Sequence, residues 1–195
     1  MRRNQLDTLE DEFILWNMMT QGNERALEKL YSKYYDSMFR YGYRYTTDNS
    51  LLEDSIQDVF LNIYNNHSIK AVQSVQAYLL RSMRNMVLHH LSLSKDYSLD
   101  EISFDISAED TLLERLFERD DKELRVSRKL AEAFHSLNDN QKNALYLRYV
   151  KDLSYREVAE VLNINIQSAQ NLIGRTLLRL KGLLRLLFIV LLTFI

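Results

Sequence analysis

The acidic side chains at residues 53–58 are the first group in the chain whose types and spacing could do chemistry. Glu53, Asp54 and Asp58 are close enough in sequence to share one helix, and clustered carboxylates can transfer protons or bind metal ions. Helical metal enzymes add Glu-x-x-His motifs that face inward, and no inward-facing motif of that kind is predicted here. An all-helical enzyme is therefore the weakest functional hypothesis.

A second group of polar side chains, at residues 167–175, has the composition of a DNA-reading surface. Glutamine and asparagine pair bidentately with adenine edges, and arginine pairs with guanine. The outward positions of the predicted helix are Gln167, Ser168, Gln170, Asn171, Gly174 and Arg175. Phosphate contacts position a protein on DNA without specifying sequence. The basic residues suited to such contacts are Arg148, Lys151, Arg156, Arg179 and Lys181.

Two short helices are predicted to position this surface. Ser154 with Glu157 is a capping box that begins the first helix, and Asn163 can adopt the left-handed conformation that ends it. Asn165 is predicted to cap the second helix, which packs through the small residue Ala169. Two short helices joined by a tight turn predict a helix-turn-helix, with an ordinary helical hairpin as the alternative.

The composition predicts an all-α fold. Proline is absent and the 4 glycines are isolated, so the chain lacks the turn residues of β-sandwiches and the clustered glycines of phosphate-binding loops. The absence of cysteine excludes disulfides, thiol nucleophiles and zinc-thiolate sites. The 4 histidines have no metal-ligand spacing, so neither a metal nor another cofactor is predicted.

The net charge of −2 conceals an uneven distribution along the chain. Residues 1–95 carry 11 basic and 11 acidic side chains, residues 96–123 carry 3 and 11, and residues 124–195 carry 11 and 5. Apolar residues recur at helical intervals in the outer segments and are sparse in the middle one. We therefore predict two small helical domains joined by an acidic linker, with the helix-turn-helix in the basic second domain.

Apolar residues at three- and four-residue intervals predict three helices in the first domain, preceded by a short helix around residues 13–19. Asn23 is expected to cap the first of the three and Ser74 the last. Ser50 with Glu53 is expected to form a capping box at the start of the middle helix.

The second domain carries two further sequence features. Asn138 is predicted to cap a helix that carries Ala144, Leu145, Leu147, Tyr149 and Val150. The uncharged run at residues 186–195 is too short for the roughly 20 residues that span a bilayer. It is expected to be buried or covered by a partner, with a membrane-surface anchor as the alternative. The N-terminus lacks the apolar segment of a signal peptide, so the expected location is the cytoplasm.

Three motifs in order resemble the sigma factors of bacterial RNA polymerase, in particular the two-domain extracytoplasmic-function group. Residues 51–60 are similar to the family helix that carries an acidic-Gln-acidic-Val-Phe sequence. Residues 77–85 are similar to the family helix that begins with an aromatic-Leu pair and reaches Arg-Asn at the minus-ten element. Residues 147–159, with the helix after them, resemble the reader of the minus-thirty-five element. The resemblance covers nearly the whole chain.

The resemblance implies partners and roles for each polar group. Core RNA polymerase would be bound by Glu53, Asp54, Gln57 and Asp58. The displaced DNA strand at the minus-ten element would be contacted by Arg81, Arg84 and Asn85, with the loop at residues 66–73. The minus-thirty-five element would be read by Gln167, Ser168, Gln170, Asn171 and Arg175, with the five basic residues named above at phosphates. An anti-sigma factor, in some cases bound to the membrane, is a further expected partner.

The chain departs from the family pattern at several positions. His89 and Ser92 stand where Asp and Arg are expected, and Gln170 and Leu172 stand where Lys and Arg are common. These departures imply a changed promoter preference, with a degenerate sigma factor as the alternative. From the residues alone, a dimeric helix-turn-helix regulator with a helical sensing or dimerisation domain remains the alternative function. The predicted organisation is sigma region two at residues 1–95, an acidic linker at 96–123, region four at 124–182 and a hydrophobic tail at 183–195.

Overall fold

The computed structural model describes residues 2–66, 69, 72–93, 104, 133, 134 and 136–193, with side chains between residues 11 and 182. These residues divide into two compact units, Met1–Ser103 and Phe104–Ile195. Every regular element of the described ranges is helical, so the predicted all-α class with two helical domains is confirmed. Apart from Phe104, the predicted linker lies outside the described residues.

In its described residues, the first unit has four helices around one core. They are α1 (Arg2–Thr20), α2 (Glu24–Gly42), α3 (Asn49–Asn65) and α4 (Val75–Leu93). Apolar side chains recur along each helix at intervals that place them on one face, and these faces pack together. The core includes Trp16, Leu30, Met38, Ile56, Phe60, Leu79 and Met83. This packing sets the outer faces of α3 and α4, which carry the predicted polar residues.

Two of the predicted helix caps in the first unit are present. The side chain of Asn23 accepts a hydrogen bond from the N–H of Ala26 at 3.0 Å and begins α2. The hydroxyl of Ser74 accepts one from the N–H of Ala77 at 3.2 Å and begins α4. Each cap satisfies a backbone donor that the first turn of a helix leaves without an intrahelical partner.

The predicted starts of α1 and α3 are wrong. Asp48, and not Ser50, caps α3 by accepting a hydrogen bond from the N–H of Leu51 at 3.1 Å. Aspartate caps as well as serine does, and its negative charge is also favoured at a helix N-terminus, so the earlier cap prevails. The helix expected around residues 13–19 extends back to Arg2, because no glycine or proline interrupts the preceding residues.

Where the structure describes residues 136–193 of the second unit, it has three α-helices and one π-helical segment. They are α5 (Asp139–Leu145), the π-helical segment Tyr146–Val150, α6 (Tyr155–Leu162) and α7 (Ile166–Thr193). Phe104 belongs to this unit: its ring is almost fully buried and contacts the ring of Tyr146 edge to face at 5.8 Å between centroids. The second unit therefore includes at least one residue of the predicted linker.

The π-helical segment interrupts the helix predicted after Asn138. Its residues Tyr149 and Val150 are exposed at 48% and 36% of their surface. The N–H of Lys151 donates to the carbonyl of Tyr146, five residues earlier, at 3.1 Å. This wider turn shifts the side-chain register away from the α-helical period, which carries both side chains out to solvent.

The predicted helix-turn-helix is confirmed, and local hydrogen bonds define it. Ser154 and Glu157 form a reciprocal capping box at the start of α6. Asn163 ends α6 in the left-handed conformation, at φ 55° and ψ 46°. Asn165 accepts a hydrogen bond from the N–H of Ser168 at 2.7 Å and so begins α7. The turn therefore needs no glycine, because asparagine tolerates this conformation.

Helix α7 continues beyond the helix-turn-helix as far as Thr193. With a rise of about 1.5 Å per residue, its 28 residues extend about 42 Å. It includes most of the hydrophobic tail predicted at residues 183–195, whose side chains lie outside the described ranges. Among the helices described, none has the length and apolar character needed to cross a membrane.

Candidate protein and nucleic-acid interfaces

The outer face of α3 forms an exposed ridge, here called the acidic ridge. It consists of the four side chains predicted to bind core polymerase, Glu53, Asp54, Gln57 and Asp58, together with Leu61. Leu61 is half exposed, although leucine usually contributes to a core. Within the described ranges no group of three acidic or histidine side chains is arranged for a metal ion. Carboxylates beside an exposed leucine suit a protein partner that carries basic groups.

One edge of the acidic ridge borders aromatic side chains of α2. Burial, and then the Glu53 carboxylate, raise the pKa of the phenols of both Tyr31 and Tyr35. The ring of Tyr31 also lies 5.1 Å from the ring of Phe60, measured between centroids. Glu53 therefore lies where α2 and α3 meet, whereas Asp54 is exposed on the outer face of α3.

The opposite edge of the acidic ridge borders α4. The imidazole Nε2 of His90 lies 3.9 Å from the carboxylate Oδ2 of Asp58, and its Nδ1 lies 3.2 Å from the hydroxyl of Ser55. Ser55 is fully buried, so this contact fastens α4 to the interior side of α3. The sequence motif did not indicate the His90 contact, because it depends on how two helices pack.

A cavity of about 350 Å³ opens between α3, α4 and the loop that joins them. This volume is within the range of small-ligand sites, about 300–1,000 Å³. Polar side chains line part of the wall: Asn62, Asn66, Ser82, Asn85 and His89. Apolar side chains line the rest: Val59, Ile63, Ile69, Tyr78 and Met86. The mixture of an aromatic ring with amide groups suits a flat polar ligand such as a nucleobase.

The structure brings together only part of the predicted minus-ten site. Asn85 lines the cavity, whereas Arg81 and Arg84 each precede a lining residue and lie about 100° around the α4 axis from it. The Nε of Arg84 is buried without a hydrogen-bond partner in the described part of the chain. In the predicted loop at residues 66–73, the structure describes residues 66, 69, 72 and 73, and residues 67, 68, 70 and 71 lie outside the described ranges.

Several cavity residues were missed by the motif comparison. Ser82, Asn85 and His89 follow one another at three- and four-residue steps, so a search for polar side chains at helical spacing would have grouped them. The facing residues, Asn62 on α3 and Asn66 directly after it, also differ by four. These two sets of polar residues line the same cavity only because α3 packs against α4, and the sequence does not reveal that packing.

The predicted DNA-reading surface forms one exposed face of α7. Gln167, Ser168, Gln170, Asn171 and Arg175 are all exposed, as predicted from the helical repeat. Ala169 and Ile173 on the opposite face are fully buried. The amide of Gln167 donates a hydrogen bond to the amide oxygen of Asn171 at 3.2 Å, so these two side chains are held side by side.

The five predicted phosphate-contacting residues occupy different environments. Arg156, Arg179 and Lys181 are exposed, while Arg148 and Lys151 are half-buried. Arg179 donates to the backbone carbonyl of Ser136 at 3.0 Å. Their phosphate contacts remain predictions.

Arg148 lies in the π-helical segment and also contacts the turn that precedes α6. Its Nη1 donates to the carbonyl of Leu153 at 2.9 Å, and its guanidinium lies 5.2 Å from the centroid of the Tyr155 ring and 5.8 Å from that of Tyr149. The buried Leu153 follows the turn directly. Arg148 therefore holds the start of the helix-turn-helix, in addition to its predicted contact with DNA.

Replacing Arg148 by alanine is expected to destabilise the second unit by about 1–3 kcal/mol, because a carbonyl loses a charged donor and two rings lose their cation. Hydrogen exchange across α6 and α7 in the full chain measures the change. Arg156→Ala is the matched control, and because Arg156 is exposed its effect should stay within about 0.5 kcal/mol. Equal protection in the two variants would contradict a structural role for Arg148.

Comparison with protein families identifies both units. The Sigma-70 region 2 family matches residues 30–95, and the Sigma-70, region 4 family matches residues 127–180. The ECF RNA polymerase sigma factor SigM of Bacillus subtilis is 24% identical over 158 residues, which cover 81% of this chain and 94% of SigM. The ECF RNA polymerase sigma factor BldN of Streptomyces coelicolor is 29% identical over 171 residues, which cover 82% of this chain and 61% of BldN.

Solved structures share the fold. CnrH, in complex with the cytosolic domain of CnrY, has a TM-score of 0.58 at 19% identity, covering 89% of this chain and 97% of the solved one. The sigma factor RpoE of Bartonella quintana, solved with the anti-sigma factor NepR, has a TM-score of 0.51 at 15% identity, covering 81% and 96%. Because the region 2 and region 4 families both match this chain, in that order, and the relatives SigM and BldN are ECF sigma factors, this chain belongs to the sigma-70 family, in its extracytoplasmic-function group, and is a sigma factor that directs transcription initiation.

Proposed function

We propose that the acidic ridge of α3 is the surface that binds core RNA polymerase. Asp54 and Asp58 are one helical turn apart, so a basic residue of the polymerase could meet both carboxylates. Gln57 adds a neutral donor and acceptor between them, and Leu61 adds an apolar contact that a protein partner would cover. Glu53, at the edge toward α2, completes the set.

The cavity between α3 and α4 is proposed to capture an unstacked base of the displaced strand at the minus-ten element. Flipping a base costs a few kcal/mol, which stacking and edge hydrogen bonds offset. The ring of Tyr78 offers a stacking surface, and the amides of Asn62 and Asn85 offer hydrogen bonds. Arg81 and Arg84, on the adjacent face of α4, would contact phosphates. The observation that carries the proposal is that this cavity and the acidic ridge lie on neighbouring faces of the same helix pair.

His89, one of the residues that depart from the family pattern, lines the proposed base-binding cavity. Its side chain lines the cavity at the position where the family expects an acidic residue. An imidazole in this wall both donates and accepts hydrogen bonds, unlike a carboxylate, so a different base would be preferred. The hydroxyl of Ser92 instead bonds to the carbonyl of His89 at 2.7 Å, within its own helix. We therefore infer a changed preference at the minus-ten element.

In the second unit, the exposed face of α7 is proposed to read the minus-thirty-five element in the major groove. Asn171 and Gln167 suit adenine, and Arg175 suits guanine. The basic side chains Arg156, Arg179 and Lys181 would hold the phosphates on either side. The predicted boundaries of region two, linker, region four and tail are retained as part of the proposal.

We further propose that the protein has no active site of its own and acts in the cytoplasm with the polymerase. An anti-sigma factor is proposed as a regulator, supported by the relative RpoE, which was solved with one. Such a partner would also offer a cover for the apolar residues predicted in the tail. Deleting residues 183–195 and finding unchanged binding to that regulator would remove the tail from this proposal.

Replacing Asn85 by alanine tests the cavity. Loss of its hydrogen bonds to a captured base is expected to weaken promoter opening by about 1–3 kcal/mol while leaving the affinity for core polymerase unchanged. A fluorescent base analogue in the minus-ten element of the displaced strand reports the opening. Asn65→Ala is the matched control, since Asn65 is exposed and does not line the cavity. Equal opening by the two variants would refute base capture at this site.

A further inference from the structure

The imidazole of His90 connects a buried part of α3 to the acidic ridge. At one end its Nδ1 lies 3.2 Å from the hydroxyl of Ser55, which is fully buried. At the other end its Nε2 lies 3.9 Å from Oδ2 of Asp58, whose side chain is 51% exposed. Ser55 and Asp58 are three residues apart on the side of α3 that faces α4, so one ring can meet both.

The Ser55 hydroxyl can donate a hydrogen bond to Nδ1 or accept one from it, according to the tautomer of the ring. When the serine hydroxyl donates to Nδ1, the proton of a neutral imidazole is on Nε2. The Nε2–H is then on the side of the ring nearest Asp58, and at 3.9 Å its attraction to the carboxylate is electrostatic and not a hydrogen bond. The buried serine thus orients the ring, and the ring places this attraction on one side of a carboxylate that is half exposed.

We propose that His90 is a positioning residue for polymerase binding: it holds the carboxylate of Asp58 in the orientation that meets a basic group of core polymerase. This inference rests on the proposed role of Asp58 in the acidic ridge. A side chain that is already oriented loses less conformational freedom on binding, which strengthens the complex without adding a contact. His90 itself would not touch the polymerase in this arrangement.

Asp54 provides an internal comparison on the same ridge. It lies one turn before Asp58 and is exposed, but the helical repeat carries it further from α4 than Ser55 or Asp58. If His90 acts through Asp58, replacing His90 should weaken polymerase binding only while Asp58 is present. If His90 merely stabilises the first unit, replacing it should weaken polymerase binding equally in the Asp54 and Asp58 variants.

A double-mutant cycle on affinity for core RNA polymerase separates these two cases. In the full chain, His90→Asn is expected to weaken binding about three- to tenfold, and by less than about twofold when Asp58→Asn is already present. With Asp54→Asn present, His90→Asn should keep its full effect. Asparagine mimics the Nδ1 side of the ring, so this variant retains the bond to Ser55, and Trp16 fluorescence in the unit's core monitors its folding.

Rescue by a conservative variant gives a second readout. Glutamine reaches the position of Nε2, so His90→Gln should bind core polymerase within about twofold of the unchanged chain, whereas His90→Asn should not. Equal weakening by His90→Asn in all three backgrounds, or no weakening at all, would overturn the positioning role. If Asp58→Asn alone leaves binding unchanged, the proposed ridge fails as well; if it weakens binding while the cycle is additive, only the role of His90 fails.

Discussion

Replacing Asp58 by lysine is expected to weaken binding to core RNA polymerase by about a hundredfold or more. Removing one partner of an interfacial charge pair costs about 2–5 kcal/mol, and the introduced ammonium adds repulsion from the basic group that the carboxylate had met. The helix itself should persist, because Asp58 is half exposed and lysine has a higher helix propensity than aspartate. The loss therefore reports on the interface and not on folding.

Titration of labelled core polymerase with the full chain measures this loss. Asp54→Lys is expected to have an effect of similar size, since both carboxylates lie on the acidic ridge. Asp11→Lys is the matched control, because Asp11 is an exposed carboxylate on α1 and not on the ridge helix α3, and its reversal should leave the affinity unchanged. If Asp58→Lys and Asp11→Lys bind alike, core polymerase does not dock on the outer face of α3.

Replacing Arg175 by alanine should relax the base preference of the holoenzyme at one position of the minus-thirty-five element. A bidentate contact from arginine to guanine discriminates against other bases by about 1–3 kcal/mol, and alanine cannot make it. Arg175 is exposed on the face of α7 that carries Asn171 and Gln167, while the opposite face is fixed by the fully buried Ile173. The substitution therefore removes a contact without disturbing the helix.

Binding of holoenzyme to a set of promoters that vary one base at a time measures this preference. Lys181→Ala is the matched control: as a phosphate contact, Lys181 should weaken binding to all promoters equally and lower the salt dependence by about one unit of slope. Arg175→Ala should instead flatten discrimination at a single position. If Arg175→Ala weakened binding to all promoters equally and left the base preference unchanged, Arg175 would contact a phosphate and not a base.

Local hydrogen bonds explain why the second unit was predictable. The capping box of Ser154 and Glu157, the left-handed Asn163 and the cap Asn165 each act within a few residues, so the sequence predicts both helices and the turn between them. The exposed face of α7 follows from the helical repeat once the start of the helix is known. This motif therefore depends little on contacts that are distant in sequence.

Two differences between the predicted and the observed helices also have specific causes. Asp48 and Ser50 are both suitable caps two residues apart, and sequence preference does not separate them. Tyr149 and Val150 were predicted on a continuous helix after Asn138, which the π-helical segment interrupts. Helix register is therefore less certain wherever two signals compete or the turn width changes.

The cavity and the His90 contact required the folded structure. Asn62 and Asn85 are far apart in sequence, and only the packing of α3 against α4 brings them to one wall. His90 similarly meets Ser55 and Asp58 across two helices. The family resemblance points to Asn85 through the Arg-Asn motif, yet the neighbouring Arg81 and Arg84 lie on another face of the helix.

Transcription in vitro by core polymerase with this chain tests most directly whether it directs promoter-specific initiation. With core polymerase present, the chain should form a complex and yield transcripts from a promoter-bearing template, and none from a template with the minus-ten and minus-thirty-five elements scrambled. A dimeric helix-turn-helix regulator would behave differently. Failure to bind core polymerase, together with tight binding of the chain alone to duplex DNA, would contradict its role as a sigma factor.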